Sequence, residues 1–252
     1  MGRRRRNQNH RYPVLEESGI LLIDKPTEWS SFDCVNFVRS RFNIPKVGHC
    51  GTLDPAATGL LVLVLNKFTK KSADLSGEDK TYEATLLIGK ESDSLDLDGK
   101  ITAVNDYSDV TQESLTEAIN SFVGEYEQIP PMVSALKKGG KKLCDLARKG
   151  IEVEREARLI SINNIDIHSI DIPEAEFTVS CSKGTYIRSL CADIGAKLGC
   201  GGLLAKLRRI QSGNFSIEKA VKMDEIKAME QADLIAKVVE DTKFYGLNDN
   251  NE

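Results

Sequence analysis

The stretch richest in chemical potential is Gly48-His49-Cys50-Gly51-Thr52-Leu53-Asp54-Pro55-Ala56-Ala57-Thr58-Gly59-Leu60-Leu61. It sets one carboxylate among glycines, a proline and small side chains, directly before an apolar run from Leu60 to Leu65. Such a backbone folds tightly enough to admit a ligand closely, and it holds Asp54 where a loop meets a buried strand. A carboxylate can act as a covalent nucleophile and still leave again. Asp before Pro is equally a common turn-former whose oxygen caps nearby amides, and a single histidine such as His49 is often structural. The stretch by itself leaves both readings open.

The elements around it follow from local pattern. Gly19 to Ile23 reads as a short strand stopped by Asp24-Lys25-Pro26, because proline removes a ladder donor and pushes its predecessor out of the helical region. Ser30 or Ser31 then caps a helix to about Phe42, with Val35, Val38 and Phe42 on one face. Leu60 to Leu65 is continuous enough to be a strand buried on both faces, in the middle of a sheet. Thr81 to Ile88 has strand composition and stops at Gly89 before an acidic loop, Glu91 to Gly99. A helix from Glu113 to Val123 enters through Thr111, and a shorter one is expected over Lys142 to Lys149. Phe177, Val179 and Cys181 alternate in a strand that passes Gly184 into a helix from about Tyr186 to Leu198, closed by Gly199. Strands and helices mix without βαβα alternation. The expected class is α+β: a large mixed, mainly antiparallel sheet flanked by helices.

The 252 residues are 40% apolar and 29% charged, which describes a globular chain with a real core and excludes disorder throughout. Leu60 to Leu65, the longest apolar stretch, is far short of the roughly 20 residues that cross a bilayer. A formal net charge of −4 argues against indiscriminate coating of nucleic acid, so a polyanion must find a local patch. Two stretches qualify. Lys137, Lys138, Lys141, Lys142, Arg148 and Lys149 face Asp145 alone, and Lys183, Arg188, Lys197, Lys206, Arg208 and Arg209 face Asp193 alone. The six cysteines form no C-x-x-C pair, and with three histidines there is no zinc-like spacing. They read as small buried apolar residues in a reducing compartment, which points to the cytoplasm and to no structural metal.

Several ordered motifs resemble the bacterial tRNA pseudouridine-55 synthase (TruB) family. The Asp54 stretch resembles its active-site motif. Gly19-Ile20-Leu21-Leu22-Ile23-Asp24-Lys25-Pro26 with Trp29-Ser30-Ser31 resembles its opening motif, and Lys80-Thr81-Tyr82-Glu83-Ala84 its tyrosine-bearing strand. Gln128-Ile129-Pro130-Pro131 with Ser134-Ala135-Leu136-Lys137 and Gly140-Lys141 is similar to its RNA-gripping insertion. Gly184-Thr185-Tyr186-Ile187-Arg188 and Leu207-Arg208-Arg209 complete the set. The similarity spans about residues 18 to 220.

The resemblance implies a reaction: uridine 55 in the tRNA T-loop is isomerised to pseudouridine by breaking the N1 glycosidic bond, turning the uracil and rejoining it through C5. No cofactor is implied. Asp54 is the implied catalytic carboxylate, and attack on the ribose C1′, addition to the uracil C6 and removal of a sugar proton to give a glycal all stay open. Arg188 is implied as its ionic partner, keeping the carboxylate charged and aimed. Tyr82 is implied to stack on the flipped uracil and to help move the C5 proton. His49 is implied to fill the space the flipped bases leave, with Tyr186 and Leu207 lining the pocket. Lys25, Lys137, Lys141, Arg208 and Arg209 are then candidates for phosphate contact, which positions RNA without reading its sequence.

The chain departs from the family pattern at Val133, where an aromatic residue is usual, and at Cys144, where a tyrosine is usual. The expected organisation is a flexible basic arm over residues 1–17 and a catalytic domain over 18–220 with the insertion at about 125–153. A short tail over 221–252 follows, with an acidic amphipathic helix from Asp224 to Val239 and no full RNA-binding PUA domain. The expectation is therefore a standalone monomer acting on the T-arm of tRNA, without a membrane or a guide-RNA particle. A tRNA-folding protein using the same pocket, and a synthase for other structured RNAs, are the competing readings.

Overall fold

The structure is a computed structural model and describes residues 11–239, apart from Ala135, Arg148, Lys149 and Glu152. Two compact units emerge, one from Met1–Gly77 with Gln211–Glu252 and the other from Glu78–Ile210. Sequence reading had expected residues 18–220 as one catalytic body.

In the first unit, strand Thr58–Leu65 is central. It pairs antiparallel with Gly19–Lys25 on one side and with Val47–His49 on the other, and Val221–Lys222 adds a parallel strand beyond Gly19–Lys25. Seven of its eight residues are buried, as an uninterrupted apolar run requires. Ile20, Leu22, Leu60, Val62 and Val64 pack with Cys50, Leu75 and Phe215 into one apolar cluster. The helix Ser31–Arg41 starts where sequence placed it: Ser30 accepts from the Asp33 N–H, and the Asp33 carboxylate accepts from the Ser30 N–H, a reciprocal cap worth about 1 kcal/mol.

The expected flexible arm is tied down from residue 11 onward. Arg11 and Tyr12 both donate to the Glu230 carboxylate at 2.6 Å, and Leu15 is buried with its N–H on the Asn43 carbonyl. The arginines Arg3 to Arg6 lie outside the described residues. The expected Asp224–Val239 helix is two short helices, Met223–Ala228 and Gln231–Lys237. The break has a cause: Arg41 donates to the carbonyls of Lys227 and Met229, satisfying the end of the first helix, while Arg11 and Tyr12 draw the Glu230 side chain away. Among the described residues of the tail, Val221, Met223, Ile226 and Leu234 are buried.

The second unit is a mainly antiparallel sheet in the order Gly202–Ser212, Lys80–Ile88, Glu174–Cys181, Arg158–Asp171 and Gly124–Gln128. Two helices, Gln112–Asn120 and Ile187–Leu198, flank it. The second of these ends on Gly199 in the left-handed region at φ 78°, as its sequence predicted. Gly195 lets the same helix approach the chain at Gly201 and Gly202, since a Cβ there would lie 2.1 Å from the Gly202 nitrogen. The fourteen-residue strand Arg158–Asp171 carries no label in the sequence reading, because register shifts at Ile162/Asn164 and Ile167/Ser169 break its alternation. Among the described residues no helix is long and apolar enough to cross a membrane.

Candidate active site

In the first unit the opening motif holds the Asp54 loop. The Lys25 ammonium is fully buried and donates to the carbonyls of Pro26 at 2.8 Å, Trp29 at 2.5 Å and Pro55 at 3.0 Å. The Glu28 N–H reaches the same Pro55 carbonyl at 3.0 Å. Ser31, buried at the start of its helix, donates through Oγ to the Leu53 carbonyl and accepts from the Leu53 N–H at 2.8 Å. The residues on either side of Asp54 are thus each pinned to the 25–31 segment, and the Asp54 carbonyl closes a turn by accepting from the Ala57 N–H at 3.1 Å. Gly51, at φ 94°, and Gly59, at φ 100°, bracket the loop with backbone that a side chain would strain. The Asp54 residue itself is partly exposed at the end of this clamp. His49 closes the strand Val47–His49 opposite Leu63 and is half-buried.

Lys25 corrects an expectation. Its charge was read as a phosphate contact, but a fully buried ammonium spending its protons on three carbonyls organises the loop instead. The sequence signal was Lys-Pro after a strand, and charge alone cannot tell a buried clamp from a surface cation.

In the second unit Arg188 sits in the first turn of the helix Ile187–Leu198 and is only 4% exposed. Its Nη1 donates to the Ser94 carbonyl at 2.7 Å, its Nη2 donates to the Val133 carbonyl at 2.8 Å, and its Nε lies 3.6 Å from Asp96 Oδ2. Asp96 in turn accepts from the Ser94 hydroxyl and from the Asp98 N–H at 3.2 Å. The acidic loop is seated on the sheet, since the Leu204 N–H donates to the Leu95 carbonyl at 3.0 Å. The sequence marks Glu91 to Gly99 as an acidic loop but gives Asp96 no role. The available hint was a dense Asp-Ser-Leu-Asp-Leu-Asp-Gly pattern, which is common in surface turns as well. Val133 takes part through its backbone, so the loss of an aromatic side chain there does not remove this bond.

Tyr82 lies on strand Lys80–Ile88 opposite Val179, its side chain on the buried face with Ala84 while Glu83 is exposed. Burial, with the Arg209 guanidinium nearby, pushes the Lys80 ammonium below its ordinary value. Tyr186 is the residue before the Arg188 helix and is partly buried. Leu207 and Arg208 are half-buried on strand Gly202–Ser212, whereas Arg209 is almost completely buried. That burial, like that of Lys25, departs from the expected phosphate contact. The backbones of Lys137 and Lys141 pair in a small hairpin, Lys137–Lys138 with Lys141–Lys142; their side chains, and that of Cys144, lie outside the described residues. Beside them is a pocket of ≈ 160 Å³ lined by Pro130, Leu136, Leu143, Glu154, Arg155, Glu156 and Arg158. Two carboxylates offset its two guanidinium groups, so it is no anion cradle. The expected residues therefore fall into two groups: Lys25, His49 and Asp54 in the first unit, and Tyr82, Lys137, Lys141, Tyr186, Arg188, Leu207, Arg208 and Arg209 in the second.

Comparison with known proteins bears on what these residues serve. Residues 39–187 match the model of the TruB family pseudouridylate synthase (N terminal domain), and residues 188–242 match the tRNA pseudouridylate synthase B C-terminal domain. The tRNA pseudouridine synthase B of Clostridium tetani is 48% identical over 209 residues, covering 83% of this chain and 72% of that one. That of Clostridium acetobutylicum is 50% identical over 208 residues, covering 82% of this chain and 72% of its own. Among solved structures, a Cbf5-Nop10-Gar1 complex aligns with a TM-score of 0.66 at 27% identity, over 87% of this chain and 58% of the chain compared. The ordered motifs, the mainly antiparallel sheet and the family match across both units agree, and the chain belongs to the TruB family of pseudouridylate synthases.

Proposed function

We propose that Asp54 is the catalytic carboxylate with which this chain, a tRNA pseudouridine synthase, isomerises uridine 55 of the T-loop. The observation that carries the proposal is the clamp on the Asp54 loop. Lys25, Glu28 and Ser31 make four hydrogen bonds to the residues flanking one partly exposed carboxylate. That is the investment expected where a reacting group must be held to within a fraction of an ångström. A carboxylate that only caps a turn does not need its neighbours fixed from outside the turn.

The sequence of events follows from the chemistry. A uridine inside a folded loop must leave its stack, at a cost of a few kcal/mol, before its glycosidic bond can be reached. On attack at C1′ the carboxylate displaces uracil N1 from the ribose, the freed uracil turns, and its C5 displaces the carboxylate and gives up its proton, so one difficult exchange becomes two easier displacements; addition to C6 and the glycal route stay open to the same carboxylate. Tyr82 supplies an aromatic face for the extruded base, and Arg188 supplies the cation that keeps a carboxylate ionised in a site closed to water. His49, Tyr186 and Leu207 line the base pocket in this reading, and Arg208 with Lys137 and Lys141 meets phosphate. The reading takes the enzyme as a standalone, cytoplasmic monomer, supported by bacterial relatives named for tRNA rather than for a guide-RNA particle.

The deciding experiment uses Asp54→Asn, which removes the nucleophile and little volume. Unmodified tRNA incubated with the variant is expected to bind with near wild-type affinity and to yield no pseudouridine on chemical mapping. Product at the wild-type rate removes Asp54 from the mechanism.

A further inference from the structure

The motif Gln128-Ile129-Pro130-Pro131, read from sequence as part of the RNA grip, begins with a side chain that turns inward. Gln128 ends the strand Gly124–Gln128 and is 1% exposed. Its Oε1 accepts from the Tyr186 N–H at 2.8 Å, and its Nε2 donates to the carbonyl of the same residue at 3.1 Å. The amide therefore spans the backbone of Tyr186 as an adjacent strand would. Tyr186 is the N-cap residue of the helix that carries Arg188, and its carbonyl also accepts from the Leu190 N–H at 3.0 Å.

The orientation of the amide is itself determined. Nε2 also donates to the Tyr126 hydroxyl at 2.6 Å. The Tyr126 oxygen thus faces the Gln128 NH₂. The flipped amide would set its oxygen against the Tyr186 carbonyl. Two further bonds run beside this one: Ser189 Oγ donates to the Ile129 carbonyl at 2.9 Å, and Arg188 Nη2 donates to the Val133 carbonyl. The segment from Gln128 to Val133 is a splint along the first turn of the Arg188 helix.

We infer that Gln128 is a positioning residue for the isomerisation, setting the ring of Tyr186 and the seat of Arg188 through the Tyr186 backbone, with Tyr126 fixing its amide. The inference rests on the reading of Tyr186 and Arg188 as substrate-side residues. A single hydrogen bond adds little to stability, but a displacement of about 1 Å at a reacting group can cost about 10²-fold in rate.

The test is single-turnover pseudouridine formation on unmodified tRNA at saturating enzyme, with the tRNA Kd and the thermal midpoint measured on the same preparations. Gln128→Leu is expected to slow the step by about 10- to 100-fold and to shift Kd by less than about twofold. Gln128→Glu keeps the acceptor for the Tyr186 N–H and is expected to recover part of that loss. Tyr126→Phe leaves Gln128 in place but frees its amide, and is expected to slow the step by about 3- to 10-fold. A wild-type rate in Gln128→Leu, or a loss confined to Kd, overturns the inference. Should Gln128→Leu fail to fold, Tyr126→Phe decides, and a wild-type rate there overturns it equally. Asp54→Asn in the same series separates the two claims. Turnover by that variant defeats the functional reading, whereas an inactive Asp54→Asn beside a fully active Gln128→Leu defeats only the role of Gln128.

Discussion

Asp193 shows how much of a residue's chemistry depends on where the fold puts it. Its carboxyl is pushed up to about 6, chiefly by burial, against which the Tyr126 hydrogen bond pulls it down. The same burial, with the Asp193 charge beside it, raises the Tyr126 hydroxyl far above its ordinary value. An unfolded Asp titrates near ~3.9, so between about pH 4 and about pH 6 the folded chain binds more protons than the unfolded one. Asp193 therefore contributes stability that is complete at low pH and is lost as pH rises through about 6. Asp193→Asn is expected to gain thermal midpoint on the wild type between about pH 4 and about pH 7. Parallel melts across that range check it, and a constant gap would show that Asp193 titrates as an ordinary surface carboxylate. Lys25 and Arg209 carry the same lesson for cations. Their side-chain type is written in the sequence, but whether a charge faces water or three carbonyls is a property of its neighbours.

At the scale of elements, local signals proved readable because their physics is local. The Ser30 cap, the Thr111 cap with its Ser114 N–H, and the left-handed Gly199 all involve groups within a few residues of one another. The element boundary that matters most for function is where the helix Ser31–Arg41 meets the Asp54 loop. Ser31 Oγ both gives a hydrogen bond to Leu53 and takes one from it, in a buried setting. Ser31→Ala leaves a buried N–H and carbonyl unpaired and is expected to cost about 1–3 kcal/mol, read from the urea midpoint. It is also expected to slow single-turnover catalysis, because Leu53 adjoins the carboxylate. An unchanged midpoint together with an unchanged rate would show that the loop holds itself. Elements whose pattern is interrupted were not readable: the bulged strand Arg158–Asp171 and the divided tail obey contacts made far away in sequence.

For the whole molecule, a net charge of −4 must be reconciled with a polyanionic substrate. The reconciliation is uneven distribution, with lysines gathered in the hairpin at residues 137–142 and acids gathered elsewhere. Binding to tRNA is expected to weaken as salt rises, since each neutralised phosphate releases counterions. Replacing Lys137 and Lys141 together by Ala is expected to weaken binding to every tRNA alike and to lower the slope of log Kd against log salt by about 2. Titrations at several salt concentrations check this, and an unaltered slope would show that neither lysine meets a phosphate.

By itself the sequence determined the family, the class of fold, the helix caps and the identity of the chemical groups. These rest on residue types in fixed order, or on interactions that span only a few positions. Tertiary structure alone decided that Lys25 is a clamp, that Arg209 lies inside and that Asp96 holds Arg188. It also decided that Gln128 splints the turn before that arginine. Each of these depends on neighbours that the fold supplies, most of them distant along the chain, and the type of a side chain carries no trace of the groups that will surround it.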